Sequence, residues 1–417
     1  MRRILKIISA LIGTLILYIS FYLFISNEEI PRGISGIEAD KLAQKMMNAI
    51  DKKAFDTTEI LEWNFRNKHQ YKWKKQEGLV EVSWDKNKVI LDLIDYSKSI
   101  GDNPKIIKDA FNFFNNDSFW LVAPYKVFDK GVERSIVKYQ DKDALLVKYN
   151  SGGSTPGDSY LWILDSTYVP TSFKMWTKII PIGGVSATWN DTRTCASGIK
   201  LPTNHILSMF GIKITMSEVR AYNPNSDILA HKILKAIKND AFKSTQYIEW
   251  SFMDRRFYKW DKKNHIIDVS WNDAKVILYK NELKKSTVYL KEKKVPYNES
   301  LVKRALKLFN NDSFWLVAPH KLFDKGVFRS IDYINGKEAL RVKYPIDESI
   351  KKKSYVWVLD EKYIPNSCKM YINNSDIKVD TSTWENWTIT SSGTYLPKNH
   401  TLADGRKLSM GNVKAYN

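Results

Sequence analysis

Cysteine is scarce in this sequence, with two among 417 residues, Cys195 and Cys368. So few cysteines argue against a disulfide framework, which needs several closely spaced pairs. The clustered cysteines and histidines of a structural metal site are missing as well. No Gly-x-Ser-x-Gly, His-Glu-x-x-His or phosphate-loop pattern occurs, and these are the motifs that commonly mark catalysis. We therefore expect no metal and no cofactor.

Charge is absent from a long run near the N-terminus. Arg2, Arg3 and Lys6 lie at its start, residues 7–25 carry no charge, and Glu28 and Glu29 follow. Counted from Ile4, the stretch would span roughly 33 Å as a helix, enough to cross a bilayer. Basic residues before it and acidic residues after it place the N-terminus in the cytoplasm.

The exit of this run contains bulky residues, Tyr22, Leu23 and Phe24 among them. A cleaved signal peptide needs small residues at that point, so we favour an uncleaved anchor over a cleaved signal or a buried helix. Residues 1–30 are thus predicted to be a signal anchor that crosses the membrane through residues 4–25. The chain would be a single-pass protein of the bacterial cytoplasmic (inner) membrane, with its domains on the periplasmic side.

Acidic residues are outnumbered, 46 Asp and Glu against 65 Lys and Arg, for a net charge of +19. Such a balance attracts nucleic acid in a cytoplasmic protein, but export makes that partner improbable. Anionic lipid headgroups or envelope polymers could supply the counter-charge, or the charge could simply solubilise the surface. The basic residues are scattered, and the one run in the exported part, 351–353, is short.

An internal repeat dominates the rest of the chain. The segment 115–124 recurs unchanged as 310–319. The offset is 187 residues for Trp63 and Trp250 and 195 for Trp120 and Trp315, so the second copy carries an insertion of about eight residues near 284–296. Because each copy is long enough to fold alone, we predict two tandem domains: repeat 1, residues 36–223, and repeat 2, residues 226–417, joined near 224–226.

Periodicity predicts the elements of each repeat. Apolar residues at spacing four (Leu42, Met46, Ile50) indicate an opening helix, and residues 106–114 a second helix. Apolar residues that recur with a period of two, together with apolar and aromatic runs, indicate strands at 61–65, 80–84, 145–149, 160–164, 173–177 and 187–189. In 160–164 both strand faces are apolar, which suggests that both are covered. The fold class is α+β, each repeat being one large curved antiparallel sheet with two helices.

The sequence resembles the outer-membrane lipoprotein-sorting (LolA/LolB-like) group, and also aromatic-rich relatives in flavobacterial-type envelopes. The residues behind this are the opening helix, the meander at 63–84, the segment 119–124 and the strands at 160–170. The resemblance covers each repeat nearly end to end. It implies an open antiparallel half-barrel closed by helices, with an apolar cavity that receives acyl chains. Those carriers are single domains, whereas this chain is duplicated and carries the predicted anchor.

The aromatic residues allow three interpretations: core packing, the lining of a lipid cavity, or stacking on sugar. A 43% apolar and 13% aromatic composition is typical of a folded core. The candidate cavity residues of repeat 1 are Trp63, Phe65, Tyr71, Trp73, Trp84, Trp120, Tyr160, Trp162, Met175, Trp176, Ile180 and Ile182. Their equivalents in repeat 2 are Trp250, Phe252, Tyr258, Trp260, Trp271, Trp315, Tyr355, Trp357 and Met370.

A duplicated polar set could in principle form a hydrolytic site. It comprises Asp117, Arg134, Asp165 and His205, with Asp312, Arg329, Asp360 and His400. We expect Asp117 to follow the second helix in a capping position and Asp165 to open a turn, both being common backbone-bonding roles of Asp. His205 is expected to satisfy a loop. No catalytic residue is therefore assigned.

The two repeats differ mainly at loop tips, which carry function more often than frameworks do. Repeat 1 has a glycine-rich loop at 151–157 and an apolar turn at 179–185, where repeat 2 has charged and polar residues. We hypothesise that Ile180 and Ile182 form an apolar rim that touches lipid, the alternative being ordinary loop drift.

The sequence as a whole favours an envelope-facing, non-enzymatic binding protein with an apolar cavity for a lipid or lipoprotein acyl chain. A membrane-tethered scaffold contacting cell-wall or surface glycan is the alternative, and a hydrolase using His205 and Asp165 is a further one.

Overall fold

The structure, a computed structural model, describes Thr14 and residues 27–151, 156–180, 182–344, 353–372 and 378–417. The chain divides into two compact units, Met1–Tyr222 and Asn223–Asn417, which contain repeat 1 and repeat 2. The predicted junction at 224–226 forms the first turn of a helix, where the missing N–H of Pro224 costs nothing. Within the described residues, no helix is long and apolar enough to span a membrane. The predicted anchor, 4–25, lies outside them apart from Thr14.

Repeat 1 begins with helices and continues into a long series of strands. Its helices are α1 (Ile37–Ala49), α2 (Lys52–Thr57) and α3 (Pro104–Val122), with 3₁₀ turns at Tyr96–Lys98 and Ala123–Lys126. The strands of the first unit are β1 (Ile34–Ser35), β2 (Ile60–Phe65), β3 (His69–Lys74), β4 (Leu79–Trp84), β5 (Asn87–Asp92), β6 (Val132–Tyr139), β7 (Lys142–Tyr149), β8 (Ser159–Leu164), β9 (Pro170–Trp176), β10 (Val185–Thr188), β11 (Asp191–Thr194), β12 (Lys200–Ile206) and β13 (Lys213–Tyr222).

Repeat 2 has the same order of elements with shorter strands at its end. Its helices are α4 (Pro224–Ala236), α5 (Asn239–Ser244) and α6 (Glu299–Val317), with 3₁₀ turns at Leu283–Lys285 and Ala318–Lys321. Its strands are β14 (Tyr247–Phe252), β15 (Arg256–Asp261), β16 (Ile266–Trp271), β17 (Ala274–Tyr279), β18 (Thr287–Leu290), β19 (Lys293–Val295), β20 (Phe328–Ile334), β21 (Lys337–Lys343), β22 (Lys353–Leu359), β23 (Pro365–Ile372), β24 (Lys378–Thr383), β25 (Thr388–Ile389), β26 (Tyr395–Leu396), β27 (Asn399–Thr401), β28 (Lys407–Ser409) and β29 (Lys414–Tyr416).

The prediction of one large sheet per repeat is wrong in its count. In the described part of the first unit there is a six-stranded sheet, β1-β6-β7-β8-β9-β10, and a seven-stranded sheet, β11-β12-β13-β2-β3-β4-β5. A single bridge, Ala187 to Leu207, joins them. A twisted sheet of more than about ten strands curls or splits. The result is an α+β fold with large antiparallel sheets, and this open, curled arrangement fits a half-barrel.

The sheets of repeat 2 follow the same plan. Its described residues form a seven-stranded sheet, β19-β18-β17-β16-β15-β14-β29, and a five-stranded sheet, β20 to β24 in order, but β25-β26 and β27-β28 form separate two-stranded sheets. The bridge Ser382 to Leu402 corresponds to Ala187 to Leu207. The insertion predicted near 284–296 adds the edge hairpin of β18 and β19, which pairs with β17.

Helix α3 fills the concave side of repeat 1. Asn103 caps its first turn by accepting a hydrogen bond from the Ile106 backbone N–H (3.0 Å), and Pro104 occupies the first helical position. Its inward residues, Ala110, Phe114, Asp117 and Leu121, follow helical spacing. The helix continues to Val122, so Asp117 lies within it and not at a cap as predicted. The apolar segment 118–122 prolongs the buried face past the predicted end at 114.

A buried carboxylate fixes each helix to the sheet behind it. Asp117 accepts hydrogen bonds from Tyr71 Oη (2.6 Å) and Asn116 Nδ2 (2.9 Å), and His69 Nδ1 lies 2.7 Å away. Burial, followed by the Asp117 charge, raises the pKa of Tyr71, so the phenol remains a donor. The carboxylate therefore ties α3 to β3.

The same position in repeat 2 is an ion pair. Asp312 accepts from Tyr258 and from Arg256, whose Nη2 lies 3.1 Å from Oδ1. Arg256 stands where repeat 1 has His69. The helix-to-sheet tie is thus conserved between the repeats, but its cation differs.

We predict that Asp312→Asn destabilises repeat 2 more than Asp117→Asn destabilises repeat 1. Arginine cannot release its proton, so Asp312→Asn leaves a half-buried charge without its partner, at a cost of about 3–5 kcal/mol. Asp117→Asn weakens the hydrogen bonds with Tyr71 and His69 and leaves no arginine charge without its partner, so it should cost about 1–3 kcal/mol. Urea unfolding of the full chain, followed by pulse-labelling hydrogen exchange, measures the loss in the free energy of unfolding of each repeat. Equal losses would contradict the distinction.

Repeat 2 also contains a buried histidine where repeat 1 has tyrosine. His320 stacks on Phe242 with ring centroids 4.3 Å apart, and its Nε2 lies 3.0 Å from the Tyr395 carbonyl oxygen. Tyr125 stacks on Phe55 in the same way at 4.4 Å. Burial lowers the pKa of His320 to about 3, so this ring is neutral in the folded protein.

We therefore expect repeat 2 to lose stability in mild acid, and His320→Tyr to reduce that loss. The unfolded histidine has a pKa of about 6.5. Between pH 6.5 and 3 unfolding takes up a proton, so the free energy of unfolding falls by about 1.4 kcal/mol per pH unit as pH decreases. The free energy of unfolding of repeat 2 is measured in urea from pH 7 to pH 5 by pulse-labelling hydrogen exchange. Its slope against pH should show that the variant takes up about one proton fewer on unfolding than the original protein. An unchanged slope would exclude His320 as the source.

Candidate functional site

A cavity lies between the C-terminal half of α3 and the six-stranded sheet of repeat 1. Its volume is about 280 Å³. The residues that form its apolar wall are Phe119, Trp120, Tyr160, Met175, Ile179 and Ile180. Tyr149, Asp158, Lys126 and Asp129 provide polar groups around it. The cavity therefore combines an aromatic wall with a polar, charged margin.

The position of α3 explains why space remains on this side. The helix packs against β4, β5 and β12, all strands of the seven-stranded sheet. Its last turn passes into the 3₁₀ turn Ala123–Lys126, because Pro124 cannot continue an α-helix. Phe119 then reaches across to the other sheet and lies 4.3 Å, centroid to centroid, from Tyr160. The gap beside this ring pair is the cavity.

Four of the predicted cavity residues line this space: Trp120, Tyr160, Met175 and Ile180. The sequence also predicted residues that the structure places elsewhere. Phe114 of α3 fills the space in front of Trp63 (6.2 Å), Tyr71 (6.2 Å) and Trp73 (5.3 Å). These rings therefore belong to the packed core and not to the cavity wall.

The remaining candidates of repeat 1 are also packed. Phe65, Trp162 and Ile182 are buried in the same core, and half-buried Trp84 contacts Phe113 at 5.4 Å. Trp176 lies on the opposite face of the sheet in a small cluster with Leu161. That cluster accounts for the apolar residues on both faces of β8.

In repeat 2 the corresponding candidates pack in the same way. Phe309 of α6 lies against Trp250 (6.1 Å), Tyr258 (6.5 Å) and Trp260 (5.3 Å). The rest of the predicted set is buried or half-buried in two core clusters: Phe252, Trp271, Trp315, Tyr355, Trp357 and Met370.

One pair of tyrosines distinguishes the two repeats at the cavity. Tyr344 of repeat 2 donates a hydrogen bond to the Ala318 carbonyl (2.9 Å) and accepts one from Trp357 Nε1 (3.2 Å). Its equivalent in repeat 1 is Tyr149. Within the described residues, neither the Tyr149 hydroxyl nor Trp162 Nε1 has a hydrogen-bond partner. The two repeats therefore differ in the hydrogen bonds of this tyrosine, although its ring lies 5.7 Å from the neighbouring tyrosine in both.

Asp158 supplies an acid beside the ring wall. Its carboxylate accepts hydrogen bonds from the Lys178 backbone N–H (3.1 Å) and from Tyr160 Oη (3.4 Å). Burial, followed by the Asp158 charge, raises the pKa of Tyr160. The aligned residue of repeat 2 is Lys353, so the two repeats differ in charge here.

Half-buried lysines occur beside the short helices α2 and α5. Lys75 Nζ donates to the Phe55 carbonyl and lies 3.7 Å from the centre of that ring. Lys262 repeats this with Phe242 at 3.8 Å. Burial lowers the pKa of Lys75 to about 7 and that of Lys262 to about 8. Neither amine lines the cavity, and both serve to seat the short helices α2 and α5.

The polar residues proposed for hydrolysis do not converge. Arg134 Nε pairs with Asp40 at 2.6 Å and its Nη1 donates to two backbone carbonyls. Asp165 accepts hydrogen bonds from backbone N–H groups of its own turn, as predicted from its position. His205 lies between the carbonyls of Thr188 (2.6 Å) and Trp120 (2.7 Å). Each group holds a different part of the fold.

Their equivalents in repeat 2 have the same local roles. Arg329 pairs with Asp227 at 2.8 Å, and Asp360 accepts from backbone N–H groups of its turn. His400 Nδ1 lies 3.1 Å from the Thr383 carbonyl, and burial lowers its pKa to about 4. No acid–base pair suited to hydrolysis results from these positions.

A second groove lies on the charged outer face of β2, β3 and β4. Five of its charged residues form ion pairs: Glu62 with Lys72 (3.6 Å) and Arg220 (2.8 Å), and Glu81 with Lys88 (3.4 Å). Exposed pairs of this kind are typical of a solvated sheet surface.

Sequence reasoning missed Phe119, Tyr149 and Asp158. Phe119 lies in the segment shared unchanged by both repeats, so its identity carried no signal of a difference. Tyr149 also has a tyrosine counterpart, and only the hydrogen bonds separate the two. The acid-to-lysine change at Asp158 was visible in the aligned repeats and could have marked the site.

Comparisons with known proteins give few similarities. No protein-family profile matches the sequence, and no curated protein matches it. Among solved structures, a DUF1329 family protein from Desulfovibrio piger is similar, with 11% identity, a TM-score of 0.27 and coverage of 46% of this chain and 93% of that chain. A domain from Vibrio parahaemolyticus named for outer membrane lipoprotein sorting is similar at 12% identity and a TM-score of 0.26, covering 45% and 93%.

Proposed function

We propose that this protein is a non-enzymatic lipid-binding protein of the bacterial envelope, in which repeat 1 holds an acyl chain of a lipid or lipoprotein. The supporting observation is the cavity beside Phe119 and Tyr160, which is bordered by the apolar turn at Ile179 and Ile180. Residues 4–25 would anchor the chain in the cytoplasmic membrane, with both repeats on the periplasmic side.

The size of the cavity suits part of one chain. Pockets for drug-sized ligands occupy about 300–1,000 Å³, and this cavity is at the lower limit with about 280 Å³. Each buried methylene contributes about 0.8 kcal/mol. About six methylenes would then contribute about 5 kcal/mol, which corresponds to weak, exchangeable binding. Such binding suits transfer more than storage.

The margin of the cavity suits a polar head. Lys126 and Lys130 place positive charge beside the apolar wall. Lys126 Nζ lies 3.8 Å from Asp129, whose pKa burial raises. An anionic headgroup would meet these ammonium groups while its chain contacts the rings.

Repeat 2 is proposed to be a support without a chain site. In support of this, the Tyr344 hydroxyl is already bonded to the Ala318 carbonyl and to Trp357 Nε1, whereas the equivalent groups in the described part of repeat 1 lack these bonds.

A photoreactive fatty acid in nanodiscs containing the full chain tests the proposal. Labelling, mapped by mass spectrometry, should occur at cavity peptides of repeat 1 and not at the equivalent peptides of repeat 2. Met175→Gln keeps the side-chain length but adds a polar amide to the wall, which costs about 1–3 kcal/mol against an acyl chain. We expect at least a tenfold loss of labelling.

Met370→Gln is the matched control, because Met370 is the equivalent methionine in repeat 2. It should leave the labelling of repeat 1 unchanged. Labelling of both repeats to the same extent, or insensitivity to Met175→Gln in a folded protein, would refute the assignment.

A further inference from the structure

The chain that follows the predicted anchor is clamped to the apolar turn of repeat 1. The Glu28 backbone N–H donates to the Gly183 carbonyl (3.1 Å), and the Gly183 N–H donates to Asn27 Oδ1 (2.8 Å). Trp176 Nε1 donates to the Glu28 carbonyl (2.8 Å), and Lys174 Nζ pairs with the Glu28 carboxylate (2.6 Å). Backbone and side chains both hold this segment in place.

Two consecutive glycines make the close approach possible. A Cβ on Gly183 would lie 2.3 Å from the Glu28 carbonyl oxygen, and one on Gly184 would lie 2.7 Å from Glu28 Cβ. Gly184 also has a φ of +81°. Repeat 2 has Lys378 and Val379 at these positions. The glycine pair that permits this contact is therefore present in repeat 1, which follows the N-terminal segment, and absent from the aligned positions of repeat 2.

An apolar edge lies beside the clamp. Ile179, in the turn, is 69% exposed, and Phe210, at the tip of the hairpin between β12 and β13, is 67% exposed. The bridge from Ala187 to Leu207 and the bond from the Ser208 N–H to the Ser186 carbonyl (2.8 Å) set the hairpin against β10. The hairpin tip and the turn therefore project at the same end of the sheet.

The backbone at this tip is unfavourable for the residue that occupies it. Phe210 and Gly211 both have positive φ, 57° and 61°. Glycine, Asn and Asp adopt this conformation readily, whereas a bulky side chain does so at a cost. At the corresponding tip of repeat 2, Gly405 has a positive φ of 83° and the preceding Asp404 does not. Phe210 therefore keeps a large apolar ring 67% exposed at a position where the backbone favours a smaller residue.

From these observations we infer that the edge formed by Ile179, Phe210 and Ile212 docks into the lipid surface from which residues 4–25 emerge. Only two residue steps separate Ile25 from Asn27, a reach of about 7 Å. The clamp would hold the edge at headgroup depth, where exposed Lys178 and Lys213 meet anionic lipid. The edge adjoins the cavity at Ile179 and Ile180, so a chain could enter directly from the bilayer. The docking rests on the anchor of the proposed function, and this route rests in addition on its acyl-chain site.

Lipid crosslinking from the edge tests the docking. p-Benzoylphenylalanine is incorporated in place of Phe210 and, in a separate protein, in place of Asp404, in the full chain. Each protein is placed in nanodiscs of phosphatidylethanolamine and phosphatidylglycerol and irradiated. We expect at least fivefold more lipid adducts at position 210 than at position 404. Equal yields would overturn the inference.

Variants of the clamp and the tip separate docking from folding. Gly184→Val should displace Glu28 and lower the adduct yield at position 210 at least fivefold, and Lys174→Gln, which introduces no strain, about twofold. Phe210→Asn should leave the thermal midpoint unchanged or raise it, while it slows labelling of the cavity by the photoreactive fatty acid. An undiminished yield in both clamp variants would overturn the role of the clamp.

The two proposals fail in different ways. Adducts at position 210 without labelling of the cavity would refute the proposed function and leave the docking edge in place. Labelling of the cavity without excess adducts at position 210 would refute the docking edge and leave the proposed function in place.

Discussion

The contact between the central helix and the curled sheet governs each repeat. Phe114 of α3 and Phe309 of α6 enter the same cluster of three rings on the seven-stranded sheet, at nearly equal distances. A buried carboxylate one helical turn later, Asp117 or Asp312, ties the helix to β3 in repeat 1 and to β15 in repeat 2. Because the helix is committed to this sheet, the space on its other side must be filled by something else. How it is filled decides whether a repeat contains a cavity.

The duplication provides an internal comparison of two outcomes from one framework. In repeat 2 a tyrosine hydroxyl bonds to the helix end and to a tryptophan, which satisfies three polar groups at once. In repeat 1 the same residue types occur without those bonds. A buried polar group left without a partner costs stability, so this difference is not neutral for the fold.

Much of the framework was predictable from local patterns. Alternation placed β2, β4, β7 and β8 within a few residues, and apolar spacing placed α1. The end of α3 was misjudged because segment 115–118 is polar and reads as a cap. In the structure its Asp117 is satisfied by Tyr71, far away in sequence. The single sheet was misjudged because no local signal shows where an accumulating twist separates two strands.

The candidate site was predictable only in part. Trp120, Tyr160, Met175 and Ile180 were named from the sequence and line the cavity, but Trp63, Trp73 and Trp162 were named with them and are core. An aromatic residue on the inward face of a strand shows the same alternation in the sequence whether it packs in the core or lines a cavity. What separates them is whether a helix side chain occupies the opposite position, and this depends on the path of α3.

The sequence by itself determined the duplication, the order of helices and strands, the inward and outward faces of most strands, and the difference in character between the loop tips of the two repeats. These follow from identity, periodicity and composition, which are local properties of the chain. Only the tertiary structure decided which rings pack and which border open space, and that residues 27–28 clamp the turn at Gly183. Both depend on contacts between segments distant in sequence, where a difference of a single side chain or hydrogen bond determines whether a gap closes.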